Sequence, residues 1–229
     1  MLSEGEIAKR LSEVQGRIDA AARRSRRDPD SVCLVLASKA QPPEAIRVAY
    51  RAGARVFGEN YVQEAIAKKN ATADLGDIRW HLIGSLQTNK ARQACKIFEL
   101  IHSLDSARLA EALARVRPIP QVRVLVEVNL AGESSKHGVA PGDVELLLAQ
   151  VRDKVKVEGL MTIPPPNLPQ ERTRLYFARL REMRDSLAAR TGLSLHELSM
   201  GMTEDYEIAI EEGATIVRVG RAVFGERTR

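Results

Sequence analysis

The chain has 229 residues, 44% of them hydrophobic, which is enough to bury one sizeable core. Charged residues make up 28% and are spread along the chain, which excludes a disordered composition. The net charge of +5 is compatible with nucleic acid, but aromatics are only 4% and do not interleave with the basic residues, so base stacking is poorly provided for; an anionic small molecule uses positive charge equally well.

The N-terminal stretch, "MLSEGEIAKRLSEVQGRIDAAARR", is too polar for a signal peptide. Ile7, Leu11, Val14, Ile18 and Ala21 recur at steps of four and three, which predicts a helix within residues 1–27. The pattern stops too early for a coiled coil, so the helix is expected to dock on the rest of the chain. Arg23, Arg24, Arg26 and Arg27 fall at its end, where cations favour the negative pole of the dipole. Cys33 and Cys95 form no CxxC and read as reduced thiols, and no apolar run approaches membrane-spanning length. These features together suggest a cytoplasmic protein with no membrane partner.

Strand-like and helix-like segments then alternate. The strand-like runs are "SVCLVLASK", "ARVFGEN", "IRWHLIGS", "KIFELIHSL", "QVRVLVEVNL", "VKVEGLMTI", "SLHELSM" and "TIVRVGRAVFG". Many are nearly continuous apolar runs, as expected of parallel strands covered by helices. Between them lie amphipathic segments such as "PPEAIRVAYRAG", "SARLAEALARV", "GDVELLLAQVRD" and "ERTRLYFARLREMRDSLAARTG". Gly53 and Gly213 each sit where a left-handed helix stop would fall. "PPPNLP", residues 164–169, reads as a long loop inside one domain spanning 1–229. Eight strands alternating with helices predict an α/β protein, a single (β/α)8 barrel of the TIM type with an extra N-terminal helix. An open doubly wound sheet is the alternative, but no GxGxxG follows the first strand.

Barrels build their sites at the carboxyl ends of the strands. The residues there are Lys39, Glu59, Asn60, Ser85, Gln87, Ser103, Asp105, Asn129, Thr162, Ser199, Gly220 and Arg221. In an open sheet Lys39 would simply mark the exit into water. At a barrel mouth it faces its neighbours across a pocket, where shielding and nearby cations lower an amine's pKa and allow it to attack an aldehyde. Ser199, Gly201 and Thr203 precede a helix whose first turn is expected to hold Glu204 and Asp205; hydroxyls, a glycine and free N–H groups suit a phosphate. Gly220 and Arg221 follow the eighth strand, and loops after strands seven and eight are a frequent phosphate site. An aldehyde at one end and a phosphate at the other point to pyridoxal 5'-phosphate.

The sequence closely resembles the pyridoxal phosphate homeostasis protein family. The matching stretches are "LASK" ending on Lys39, "FGENYVQE" at 57–64, "WHLIGSLQTNK" at 80–90, "EVNLAGESSKHG" at 127–138, "GLMTI" at 159–163, "LSMGMTEDYEIAI" at 198–210 and "VRVGRAVFGER" at 217–227. They run in order along nearly the whole chain. The resemblance implies a barrel similar to the N-terminal domain of bacterial alanine racemase. It implies that Lys39 forms the internal aldimine, that Ser199, Thr203, Gly220 and Arg221 contact the phosphate, partly through their backbones, that Arg218 faces the pyridine nitrogen, and that Asn60 lies beside the ring. An arginine there keeps the ring nitrogen unprotonated and the cofactor a weak electron sink.

Other candidates read more plainly. His81 is expected to be a hydrogen-bonded core or pocket-floor histidine. "HELSM" lacks the second histidine of HExxH, so no metal site is expected. Lys136 is the second-choice lysine, and Met161, Met200 and Met202 suit pocket packing. Two functions from different classes follow: a carrier that holds the cofactor for intracellular supply, with cofactor-dependent apo-enzymes as candidate recipients, or a racemase- or decarboxylase-type enzyme on amino acids. A Schiff-base aldolase is a more distant third. Alanine racemases add a second domain carrying an opposite-face tyrosine, and racemisation needs proton transfer on both faces. The sequence ends at Arg229, and Tyr50, Tyr61, Tyr176 and Tyr206 all fall on or at the start of helices, so the carrier reading is favoured, as a monomer.

Overall fold

A computed structural model describes residues 2–116, 122–133 and 137–226. The strands are β1 (Cys33–Ala37), β2 (Val56–Glu59), β3 (Arg79–Leu82), β4 (Leu100–Leu104), β5 (Arg123–Glu127), β6 (Lys156–Met161), β7 (Glu197–Ser199) and β8 (Ile216–Val219). They pair in parallel in sequence order and close into a barrel through β1 and β8. The helices are α1 (Glu4–Arg24), α2 (Pro43–Arg51), α3 (Val62–Ala71), α4 (Ala91–Ile97), α5 (Ala107–Ala114), α6 (Val144–Val151), α7 (Gln170–Thr191), α8 (Tyr206–Glu211) and α9 (Arg221–Phe224).

Strand alternation sorts the apolar side chains into two cores. Val35, Val56, Leu100, Leu125, Met161 and Ile216 point inward and fill the barrel. Leu36, Phe57, Trp80, Ile101, Val124, Leu160, Leu198 and Val217 point outward and meet the helices. Both strand faces are therefore apolar, which is why the strands read as continuous runs rather than alternations.

Helix α1 starts on a capping box: Ser3 accepts from the Glu6 amide while the Glu6 carboxylate accepts from the Ser3 amide. Its stripe Ile7, Leu11, Val14, Ile18 and Ala21 is buried, as the spacing predicts. It packs on α2, α8 and α9. Those helices flank the seam where β8 meets β1. Because α9 has only four residues, α1 supplies most of the covering layer there. The basic run at its end is engaged: Arg24 pairs with Glu207 and Glu211, and Arg27 donates to the carbonyls of Ile210 and Ala214. Gly53 and Gly213 both take positive φ, +104° and +98°, at the helix stops.

Three boundaries differ from the sequence reading. In "KIFELIHSL", Lys96 and Ile97 close α4, because Ala91, Ala94 and Cys95 form a buried helical stripe that carries the helix onward. In "TIVRVGRAVFG" the strand stops at Val219 and residues 221–224 coil into α9. The chain turns at Gly220, where a Cβ would sit 2.9 Å from the Ala37 carbonyl oxygen. Glu204 and Asp205 precede α8 instead of forming its first turn. Asp205 is the N-cap, and its carboxylate accepts from the Met202 amide at 2.6 Å.

Candidate functional site

On β1, Cys33 and Val35 face the barrel axis while Leu34 and Leu36 face the helices. Two more alternations put Ala37 and Lys39 inward and Ser38 outward. Ala37 and Lys39 accordingly line a cavity of about 730 Å³ at the barrel mouth. The Lys39 ammonium group lies 5.5 Å from the centre of the Tyr61 ring.

Ser38, on the other side, joins a buried ionic cluster between the sheet and α3. The Lys68 ammonium donates to the Ser38 carbonyl at 2.6 Å, to Glu59 at 2.7 Å and to Glu64 at 2.6 Å. The Ser38 hydroxyl donates to the same Glu59 oxygen, and Glu64 also accepts from the Ala40 amide at 2.6 Å. Ala40 has φ +60°, a left-handed conformation that a side chain resists. The cluster thus pins the backbone on both sides of Lys39. Burial pushes the Glu59 carboxyl up, against the hydrogen bonds from Lys68 and Ser38, and its second oxygen has no partner.

The opposite wall of the cavity comes from the loops after β7 and β8. Thr203, Gly220 and Arg221 all line it. Gly201, at φ +91°, makes the turn before α8, where a Cβ would come within 2.5 Å of the Ala209 side chain. The Arg221 side chain pairs with Glu204 at 3.0 Å, and both residues line the cavity. Ile163 and the prolines 164–166, the long loop anticipated from sequence, form the roof on one side.

Arg218 continues the inward parity of Ile216 and is buried at the cavity floor. One terminal nitrogen donates to the Ser199 hydroxyl at 2.6 Å and the Ser199 carbonyl at 3.0 Å; the other donates to the Thr162 carbonyl at 3.1 Å. Burial lowers its pKa to about 10, with Glu127 and Asp205 opposing the shift, so it is still a cation at neutral pH. Ser199 itself is fully buried beneath the floor, with its hydroxyl between Arg218 and His102. It supports Arg218 from below. Asn60 lines a second lobe of about 430 Å³, with Tyr61, Ser85, Glu127, Asn129 and His137; Ile163 borders both lobes.

The sequence reading brought Lys39, Thr203, Arg218, Gly220 and Arg221 to one cavity, with Asn60 beside it. It missed Lys68, which at four residues from Glu64 looks like half of a solvated helix pair. It also missed His102, although "LIHSL" places it on the inward parity of Leu100, and Glu127, which ends β5 in a mostly apolar run. His81 is buried and hydrogen-bonded, in line with the reading for it. Lys136 lies outside the described residues. Among those residues no helix is long and apolar enough to cross a membrane.

The barrel is closed and parallel, and the family model for the alanine racemase N-terminal domain matches residues 10–228. Within it the match is narrower. The chain is 48% identical to a pyridoxal phosphate homeostasis protein of Aquifex aeolicus, covering 95% of this chain and 97% of that one. It is 44% identical to another of that name from Pseudomonas aeruginosa, covering 96% of each. Among solved structures, PipY of Synechococcus elongatus with pyridoxal phosphate bound superposes with a TM-score of 0.84 at 42% identity, covering 96% of this chain and all of that one. The chain belongs to the pyridoxal phosphate homeostasis protein family.

Proposed function

We propose that this protein binds pyridoxal 5'-phosphate at the barrel mouth and serves the intracellular supply of that cofactor. The observation that carries the reading is Lys39: an amine at the end of β1, on the inward parity, opening onto a cavity whose far wall is Thr203, Gly220 and Arg221. The cavity falls within the ~300–1,000 Å³ of small-ligand sites. Its donor set fits the group: an amine for the aldehyde, a hydroxyl and the backbone at Gly220–Arg221 for the phosphate, a buried guanidinium for the ring nitrogen. The relatives' name and the cofactor in PipY support the same reading.

Bound there, the cofactor would supply an electron-withdrawing ring and an aldehyde carbon, and Lys39 would hold that carbon through its amine. Arg218 donates hydrogen bonds and keeps its own proton at neutral pH, so it does not protonate a pyridine nitrogen. That leaves a weak electron sink, which suits holding the cofactor better than turning over amino acids. The Tyr61 ring lies against Lys39 and 58% of that residue is exposed, so the tyrosine at the mouth is wet instead of enclosed as a proton donor. Cofactor-dependent apo-enzymes are the recipients this reading implies, with the barrel acting as a monomer in the cytoplasm.

The test is the visible absorption spectrum of the protein with pyridoxal phosphate, beside Lys39→Ala. A yellow band in the wild type that disappears in the variant is expected. No band in the wild type sinks the cofactor assignment, and an equal band in both moves the bond to another lysine.

A further inference from the structure

We infer that His81, His102 and Ser199 form a one-way chain of hydrogen bonds that positions the Arg218 guanidinium at the cavity floor, making the two histidines positioning residues for the bound ligand. The inference rests on the cofactor reading above for its purpose, but the chain itself is a property of the protein alone.

The direction follows from what each group can do. A guanidinium has donors only. Arg218 therefore donates to the Ser199 oxygen at 2.6 Å. The Ser199 hydroxyl, having accepted, sends its own proton elsewhere, and the His102 Nδ1 lies 2.8 Å away. His102 Nδ1 is thus an acceptor, which puts the His102 proton on Nε2. That nitrogen lies 3.0 Å from His81 Nδ1, which accepts in turn. Four residues from four strands, β8, β7, β4 and β3, are joined across the barrel interior, and at most 4% of any of them is exposed. Reversing one link would set two donors, or two acceptors, face to face in a site without solvent.

The chain requires both histidines to be neutral. Burial, then the positive charges of Arg79 and Arg123, lowers His81 to about 3. Burial first, then His81 and Arg218, takes His102 well below its ordinary range. The buried cation Arg218 is therefore anchored by neutral partners that do not cancel its charge. The guanidinium is held on one side by Ser199 and Thr162, and Arg218 lines the cavity above.

Two measurements test this. The first uses protein free of cofactor: nitrogen-15 NMR of the imidazole rings at neutral pH. His102 protonated on Nε2 alone is expected, and Ser199→Ala should shift its Nδ1 resonance. A His102 carrying its proton on Nδ1 overturns the chain, whatever the protein binds. The second is a double-mutant cycle read by the absorption maximum and Kd of bound pyridoxal phosphate. His102→Leu is expected to shift the band and weaken binding by up to about tenfold, the upper end of what one neutral hydrogen bond is worth. His102→Gln, which retains an acceptor, should recover part of it. In an Arg218→Lys background His102→Leu should add nothing. Equal effects in both backgrounds overturn the positioning role. Should His102→Leu fail to fold, Ser199→Ala breaks the same chain by one atom and takes its place in the cycle. A wild type that binds no cofactor defeats the functional reading and leaves the NMR test standing.

Discussion

The two ends of the cavity are anchored by networks of opposite character. Behind Lys39 the network lies between sheet and helix, is built of charges, and grips the backbone through the Ser38 carbonyl and the Ala40 amide. Beneath Arg218 it lies inside the barrel, is built of neutral groups, and grips the side chain itself. The lysine's chain thus keeps its rotational freedom while its root is fixed, whereas the guanidinium is held in place. Under the proposed function, the first arrangement suits a residue that forms and releases a covalent bond, and the second suits one that presents donors.

The largest break in this comparison should come from Lys68→Met. It strands the Glu59 carboxyl at zero exposure, and removing one partner of a buried pair costs about 3–5 kcal/mol. Urea unfolding at pH 7 checks the loss. The loss should shrink toward pH 5, because burial already raises Glu59 and a proton relieves the stranded charge. The double variant Glu59→Leu with Lys68→Met should recover most of the stability while still loosening the Lys39 backbone.

The interior network answers to pH instead. His81 stays neutral in the native state down to about 3, while the unfolded chain takes up a proton near 6.5. The unfolded state therefore binds more protons as the pH falls from 6.5 toward 3, and stability drops. The slope from this one residue is about 1.4 kcal/mol per pH unit. Glu59 and Glu127, raised by burial, pull the other way, so the difference between wild type and His81→Gln isolates the histidine. Unfolding at pH 7.5 and pH 5 should show a steeper acid loss in the wild type.

The smallest effect sharpens the comparison at the backbone. Ala40→Gly relieves the left-handed φ next to Lys39 and offsets some of that gain with unfolded-state entropy. A net change within about 1 kcal/mol is expected, together with faster amide exchange around Lys39.

Much of this site was legible in the sequence because barrel sites gather at strand ends. Lys39, Gly220 and Arg221 follow strand-like runs, while Arg218 entered only through the family resemblance. The strand count and the closing of the barrel followed from apolar runs at regular spacing. What stayed hidden depended on partners far away in the chain. His102 meets Ser199 across 97 residues, and Lys68 meets Ser38 across 30, so neither pairing leaves a periodic trace. Ser199 was read as a phosphate contact beside a Gly-containing loop; its bonds to Arg218 and His102 left no trace in the local sequence. The ends of β4 and β8 were blurred because an apolar helix end and an apolar strand share one composition.

The position of α1 bears on the order in which the molecule is made. Arg17 and Glu207 are 190 residues apart, yet they bond to each other. Helix α1 therefore has only the α2 part of its docking surface until α8 and α9 are in place. Until then part of the stripe Ile7, Leu11, Val14 and Ile18 stays an uncovered apolar face. Closure of the barrel is thereby tied to a contact of long sequence separation, and a partly folded form in which α8 and α9 have not docked is the one most exposed to aggregation.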